Sequence, residues 1–115
     1  MISVIIPAYN EERYIGSTLQ SLQSQTMKDF ETIVVCNGCT DNTADVAKKY
    51  GCKVLSIKER GVSKARNHGA KAAKNKTLIF LDADTRVSDD TLEKISKLNG
   101  IGVTKARADS KKLKA

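Results

Sequence analysis

Short apolar runs recur along the chain and predict a set of strands. Four runs of about five residues each are rich in Ile, Val and Leu and are bounded by Gly, Pro or polar residues, as buried strands are. They cover residues 2–6, 32–36, 53–57 and 77–81. A fifth short strand is expected after Gly100.

The segments between these runs have helical periodicity. Ile15, Leu19 and Leu22 predict a helix that begins at Glu11 with Asn10 as its cap. A second helix is expected after Thr40 or Asp41 and ends at Gly51. A third is expected over about residues 63–74, with a small-residue face at Ala65, Gly69, Ala72 and Ala73. A fourth begins after Ser88 and buries Leu92, Ile95 and Leu98.

Alternation of strand and helix predicts an α/β fold. The expected architecture is a mostly parallel, doubly wound sheet with helices on both faces, and its strand order is 3-2-1-4. Ligands of such sheets bind beyond the carboxyl ends of the strands. Those ends carry polar or turn-forming residues at 7–10, 36–41, 58–62 and 82–84. They are therefore expected to line one crevice.

Size and charge narrow the range of partners. A chain of 115 residues is one domain. Its net charge of +7 is uneven, since residues 1–50 carry −2 and residues 51–115 carry +9. The basic part favours an anionic partner, which is a nucleic acid, an anionic membrane surface or a phosphorylated small molecule. A solvated, lysine-rich face is the plainer alternative.

Asp82-Ala83-Asp84 follows an apolar strand and is the strongest candidate for chemistry. Two carboxylates at a strand end offer the oxygen ligands that Mg²⁺ or Mn²⁺ prefers, and a diphosphate supplies further ones. The side chains point the same way if the strand continues and diverge if the chain turns. The alternative is that both residues only cap a turn or helix.

The basic run from Lys58 to Lys76 contains seven Lys or Arg residues against Glu59 alone. Arg66 follows a loop at a predicted helix start, where a phosphate can be received. The chain has neither a G-x-G-x-x-G nor a P-loop motif, so dinucleotide and P-loop binding are not favoured. Nucleic-acid binding is not favoured either, because interleaved aromatic residues are missing.

The three cysteines point to a reducing compartment rather than to a disulfide framework. Cys36-Asn37-Gly38-Cys39 has the spacing of a redox pair or of half a zinc site, but two small residues in a strand-to-helix loop are the favoured interpretation. With no signal-like N-terminus, we expect the protein in the cytoplasm, with peripheral contact at the inner membrane face as an option.

Five blocks in order resemble the family-2 glycosyltransferases, which are inverting enzymes of the GT-A fold. The blocks are Ser3 to Glu12, Ser21 to Thr26, Asn37 to Thr43, Gly61 to Asn67 and Phe80 to Asp84. Together they span about residues 2–98. The resemblance implies transfer of a hexose from a UDP- or GDP-sugar to an acceptor hydroxyl or phosphate.

The resemblance also implies roles for individual residues. Asp84, and with it Asp82, would hold Mn²⁺ or Mg²⁺ on the diphosphate, with Asp82 near the ribose. Arg66 would lie beside the nucleotide. The remaining residues that would contact the nucleotide sugar are Pro7, Ala8, Tyr9, Glu11, Asn37 and Ala83.

Two departures from the family pattern shape the prediction. Cys36-Asn37 stands where relatives often carry paired aspartates, which leaves the choice of base open. The family's acceptor half and catalytic base lie downstream of the acidic motif. We therefore predict a donor-binding half over residues 1–98 and a basic segment, 99–115, that begins the acceptor half. The catalytic residues remain unidentified, and the acceptor is expected to be a lipid phosphate or a glycan.

This prediction leaves alternatives open. A partner that supplies the acceptor half is one of them, and an exposed hydrophobic edge would favour a homodimer. The other functions considered are a non-catalytic nucleotide-binding module and a binder of anionic membrane or nucleic-acid surfaces.

Overall fold

The structure is a computed structural model that describes residues 1–98 in full and the backbone of two further strands, Val103–Lys105 and Ser110–Lys112. In chain order the elements are β1 (Ile2–Ala8), α1 (Ile15–Gln23), β2 (Phe30–Asn37), α2 (Thr43–Lys49), β3 (Lys53–Ile57), α3 (Val62–Ala72), β4 (Thr77–Phe80), β5 (Thr85–Val87), α4 (Thr91–Ser96), β6 (Val103–Lys105) and β7 (Ser110–Lys112).

The main sheet is parallel and has the order β3-β2-β1-β4-β6. The central strand β1 aligns Ile5 with Ile33 of β2 on one side and with Phe80 of β4 on the other. This confirms the predicted order 3-2-1-4, and β6 is the fifth strand expected after Gly100. An antiparallel pair of β5 and β7 was not predicted.

The sheet is covered on both faces, as predicted. On one face Val4 and Ile6 pack in the same cluster as Ile15 and Leu19 of α1. On the other face the side chains of Ile5, Ile33 and Val35 pack against Ala65 of α3. Successive residues of a strand point to opposite faces, so one continuous apolar run supplies both cores.

Helix α3 lies unusually close to the sheet because Gly69 has no side chain. A Cβ added at Gly69 would lie 2.4 Å from Ile5 Cγ2 and 3.2 Å from Val35 Cγ2. The predicted small-residue face is therefore the face that packs. Helix α3 ends at Ala72, two residues before the predicted end, because Ala73 is already extended. Glu31 Oε2 accepts the N–H of the next residue, Lys74, at 2.6 Å.

Two predicted helix caps were wrong. Helix α1 begins at Ile15 rather than Glu11, after a turn in which the Glu11 carbonyl accepts the Ile15 N–H. Asn10 does not cap this helix, since its amide binds a neighbouring loop instead. Helix α4 begins after Asp90 rather than Ser88, and it ends at Ser96. Leu98 lies past that end and is 60% exposed, not buried as predicted.

Candidate functional site

The acidic motif forms a turn at the end of β4. The Leu81 N–H still donates to the Ile5 carbonyl at 3.0 Å, and the Thr85 N–H then donates back to the Asp82 carbonyl at 3.2 Å. The chain therefore turns here, and the two carboxylates differ in exposure. Asp82 is exposed, whereas Asp84 is 9% exposed and accepts a hydrogen bond from the Thr85 hydroxyl at 3.4 Å.

Three buried polar side chains on and just after α1 hold this turn and the segment that follows it. The Thr18 hydroxyl donates to the Ala83 carbonyl at 2.8 Å, and Ser21 Oγ accepts the Val87 N–H at 3.2 Å. Gln25 donates to the Ser88 carbonyl at 2.6 Å and accepts the Leu92 N–H at 3.0 Å. We call Thr18, Ser21 and Gln25 the polar row.

Sequence reasoning did not assign the polar row any role. Its signal was present, since the three residues recur at helical spacing among Ile15, Leu19 and Leu22. Polar residues on the buried stripe of a helix must find partners, because a buried unpaired polar group costs free energy. The row therefore fixes the backbone on which both carboxylates are carried.

The loop after β1 is joined to the loop after β2 by side chains that bind backbone groups. Asn10 Oδ1 accepts the Thr40 N–H at 2.8 Å and the Asp41 N–H at 3.3 Å. Asp41 Oδ2 in turn accepts the Glu12 N–H at 3.2 Å. Asn10 takes a φ of 50°, a left-handed conformation that asparagine tolerates better than most residues. The two loops therefore form one rigid rim.

Asp41 is tied into this rim as a carboxylate. Its Oδ1 accepts the Thr43 N–H at 3.0 Å and also the Thr43 hydroxyl. Thr43 is the first residue of α2. Partial burial raises the pKa of Asp41, but the hydrogen bonds from Thr43 and from the Glu12 backbone outweigh it and hold the pKa below its ordinary value. The N-cap position of α2 is Asn42, one residue past the predicted Thr40 or Asp41, and Asp41 instead accepts the N–H of Thr43, the first residue of the helix.

These elements enclose a cleft of about 270 Å³ at the carboxyl ends of β1, β2 and β4. It is lined by Pro7, Tyr9, Glu11, Asn37, Val62, Asp82, Ala83 and Asp84. Seven of the nine site residues predicted from the sequence thus line this one cleft. Val62, the first residue of α3, was not among the predicted site residues.

Two predicted site residues do not line the cleft. Ala8 is buried in the core beneath it. Arg66 lies in α3 behind it, with its guanidinium carbon 5.8 Å from the centre of the Phe80 ring. Within the described part of the chain, Arg66 Nε is buried without a hydrogen-bond partner. Arg66 is thus next to the strand that leads into the acidic turn, not on the cleft wall.

Tyr9 and Asn37 line the part of the cleft at the ends of β1 and β2, whereas the acidic turn follows β4 on the other side of β1. The Tyr9 ring is 39% exposed, and the guanidinium of Arg60 lies 4.1 Å from its centre, within cation–π range. Asn37 is 6% exposed, and its Oδ1 is buried without a partner among the described residues. Sequence reasoning counted Arg60 only as one of the basic run, because no local pattern links it to Tyr9.

The acidic turn fits a hard divalent cation that also binds a phosphorylated ligand. Asp82 and Asp84 supply carboxylate oxygens, the ligand type that Mg²⁺ and Mn²⁺ prefer. Within residues 1–98, no group of three or more His, Cys, Asp or Glu side chains is arranged to hold a metal. A cation here would take its other ligands from water and a diphosphate, which is how Mg²⁺ is commonly bound.

The Cys36–Cys39 pair does not have the character of a redox site. Burial raises the pKa of the Cys36 thiol to about 12, with a further contribution from the nearby Cys39. The Cys39 thiol donates to the Ala8 carbonyl at 3.3 Å and accepts the Asn10 N–H at 3.4 Å. Reactive cysteines require a lowered pKa, so buried Cys36 acts as a small packing group. Cys39 acts through its two hydrogen bonds, which tie the loop after β2 to the loop after β1.

Comparison with known proteins gives a family. The sequence profile of Glycosyl transferase family 2 matches residues 3–98. Over 104 residues the chain is 33% identical to the Bacillus subtilis (strain 168) protein EpsH, whose name describes a glycosyltransferase. This alignment covers 86% of the chain and 30% of EpsH. The chain thus spans about 30% of the length of such relatives.

Solved structures give the same result for the fold. Staphylococcus aureus TarS (residues 1–349) in complex with UDP-GlcNAc superposes with a TM-score of 0.79 at 34% identity, covering 83% of this chain and 30% of TarS. A Pyrobaculum calidifontis mannosyltransferase in complex with GDP-Man and Mn²⁺ gives a TM-score of 0.75 at 26% identity, covering 79% of this chain and 30% of that protein.

The profile covers all five sequence blocks and the entire cleft, and the superposed structures contain the same parallel sheet. The resemblance noted from the sequence and the GT-A fold that it implied are therefore confirmed. The chain belongs to glycosyl transferase family 2.

Proposed function

We propose that this chain binds a nucleotide diphosphate sugar in the cleft between Tyr9 and Asp84, as the donor-binding part of a hexosyltransferase. The observation that carries the proposal is the convergence of residues from three strand ends on one cleft. In this cleft an exposed aromatic ring, Tyr9, follows β1, and a pair of carboxylates, Asp82 and Asp84, follows β4. Those are the groups that a base and a metal-bound diphosphate need.

The proposed roles follow from these positions. The base stacks on Tyr9, whose ring is accessible, and its edge meets Asn37. Pro7 and Glu11 form the wall beside the base and ribose, and exposed Asp82 accepts from the ribose hydroxyls.

The diphosphate end of the cleft is assigned to Asp84 and Asp82, which would hold Mn²⁺ or Mg²⁺. When bound, the cation acts as a Lewis acid on the leaving nucleoside diphosphate. Buried Asp84 is the principal ligand, because Thr85 orients its carboxylate and the polar row holds its backbone. Arg66 supports this end from behind through β4.

The ligands of related proteins support the proposal. The TarS structure contains UDP-GlcNAc, and the P. calidifontis mannosyltransferase structure contains GDP-Man and Mn²⁺. A Mycobacterium tuberculosis glucosyl-3-phosphoglycerate synthase structure, with a TM-score of 0.67 at 29% identity, contains Mn²⁺ and UDP; it covers 77% of this chain and 36% of that protein. These proteins extend well beyond the part that this chain matches. Transfer of the sugar to a glycan or lipid-phosphate acceptor is therefore proposed only for a protein that combines this donor site with an acceptor half.

Calorimetric titration with UDP and with GDP, in the presence and absence of Mn²⁺, tests the proposal. We expect binding that depends on Mn²⁺ and that falls at least about tenfold in Asp84→Asn, which keeps the shape and removes the charge. Asp29→Asn is the matched control, because Asp29 is exposed and precedes β2 at the opposite end of the sheet. Binding that is indifferent both to Mn²⁺ and to Asp84→Asn would refute the site.

A second proposal concerns the basic surface. Lys64, Lys71, Lys74 and Lys76 are exposed on and just after α3, so an anionic membrane surface is a candidate contact. No helix in the described ranges has the length and apolar character required to cross a membrane. Binding to vesicles that contain anionic lipid should weaken steeply as salt rises, and salt-independent binding would exclude this contact. Dimerisation, the 99–115 boundary and a cytoplasmic location remain predictions.

A further inference from the structure

Asn37 carries a buried amide side chain on the wall of the cleft. It is the last residue of β2, opposite Ile57 of β3, and only 6% of it is exposed. Its Oδ1 is buried without a hydrogen-bond partner in the described part of the chain. Most buried polar atoms in native proteins are paired, so an unpaired amide on the wall of a ligand cleft indicates a partner that arrives with the ligand.

An amide and a carboxylate recognise different partners. The amide of Asn37 offers one acceptor, Oδ1, and one donor group, Nδ2, whereas a carboxylate offers acceptors only. Because no described residue bonds Oδ1, no internal hydrogen bond fixes which end of the amide faces a ligand. Rotation of the terminal torsion exchanges the two ends, and that torsion is broad for asparagine.

Uracil and cytosine differ in the hydrogen-bond donors and acceptors that they present. Uracil presents an N3–H donor next to carbonyl acceptors, so either an amide or a carboxylate pairs with it. Cytosine presents an N3 acceptor next to an amino donor. An amide pairs with both of those groups after a half turn, whereas a carboxylate places a lone pair and a negative charge against cytosine N3.

We propose that Asn37 reads the hydrogen-bonding edge of the donor nucleotide's base and admits cytosine about as readily as uracil. The proposal rests on the proposed function, since it concerns the same cleft and the base stacked on Tyr9. Asp82 and Asp84 follow β4, which lies on the other side of β1 from β2, the strand that Asn37 ends. Arg60, which stacks on Tyr9, adds positive rather than negative charge at the base end.

The test compares UDP with CDP, both with Mn²⁺, in calorimetric titrations of the wild-type chain and of Asn37→Asp. The two nucleotides share ribose and diphosphate, so the ratio of their dissociation constants isolates the base edge. In the wild type we expect a ratio within about threefold. In Asn37→Asp we expect UDP binding to persist and the CDP:UDP ratio to rise about tenfold or more.

A second variant, Asn37→Ala, distinguishes a loss of base recognition from a loss of folding caused by a buried charge. Asn37→Ala removes the amide without burying a charge, and it should weaken UDP and CDP by the same factor. Thermal melts of both variants by circular dichroism verify that the sheet is intact before the titrations are interpreted. If Asn37→Ala binds both nucleotides as the wild type does, Asn37 does not read the base and the inference is wrong.

The remaining outcomes separate this inference from the proposed function. Wild-type protein that binds UDP but discriminates against CDP by more than about tenfold overturns the inference and leaves the proposed function standing. A CDP:UDP ratio of dissociation constants that is unchanged in a folded Asn37→Asp variant also overturns the inference and leaves the proposed function standing. Wild-type protein that binds no nucleoside diphosphate overturns the proposed function and the inference with it.

Discussion

Replacing Thr18 with Val tests whether the polar row positions the acidic turn. Thr18 is fully buried, and its hydroxyl lies 2.8 Å from the Ala83 carbonyl. Valine has nearly the same shape, so packing is retained while the hydroxyl's hydrogen bond to Ala83 and its longer one to the Tyr14 carbonyl, at 3.5 Å, are lost. A buried carbonyl left without its partner costs about 1–3 kcal/mol, and we expect the free energy of unfolding to fall by that amount.

The effect on binding follows because Ala83 lies between the two carboxylates. With its carbonyl released, Asp82 and Asp84 lose their fixed separation, and Mn²⁺-dependent UDP affinity should fall by roughly threefold to tenfold. Urea unfolding followed by circular dichroism measures the first effect, and calorimetric titration measures the second.

Thr18→Ser is the matched control for this prediction. It keeps the hydroxyl and removes only a methyl group, so it should lose about 1 kcal/mol of stability and keep wild-type affinity for UDP with Mn²⁺. If Thr18→Val loses stability yet binds UDP as tightly as the wild type, the polar row holds the fold together but does not position the site.

Two further predictions concern the fold and its pH dependence. Gly69→Ala should lower the free energy of unfolding by about 1–3 kcal/mol in urea, because the new Cβ would lie 2.4 Å from Ile5 Cγ2. Gly16→Ala, whose nearest contact is 3.4 Å, should cost little or stabilise α1, and equal losses would contradict this account of α3. Hydrogen bonds lower the pKa of Asp41, so its contribution to stability is present above its ordinary value of 3.8 and is lost as the pH falls through the folded-state pKa. The stability gap between wild type and Asp41→Asn should therefore narrow below about pH 4 in urea titrations, and a constant gap would contradict it.

The sheet could be predicted because its signals are local. Each strand is a short apolar run bounded by turn residues, and the right-handed crossover leaves few strand orders for four such units. The cleft was predictable for the same reason, since parallel strands bring their carboxyl ends to one edge and Tyr9, Asn37 and Asp84 each follow or end a strand.

The errors arose where long-range contacts replaced local ones. Asn10 precedes two acids and looks like a helix cap, but its amide instead binds Thr40 and Asp41, about thirty residues away. The polar row likewise acts through a long-range contact, since Thr18 binds Ala83, which is 65 positions away in the sequence. Strand β5 has three residues, too few to show any periodicity.

The central claim is that Asp84 holds a divalent cation on a nucleoside diphosphate in the cleft beside Tyr9. The most direct measurement is an anomalous difference map from crystals of this chain grown with UDP and Mn²⁺. We expect one manganese peak within about 2.0–2.6 Å of an Asp84 carboxylate oxygen and of diphosphate oxygens, with uracil stacked on Tyr9. Nucleotide bound outside this cleft, or manganese on the diphosphate without contact to Asp84, would contradict the account.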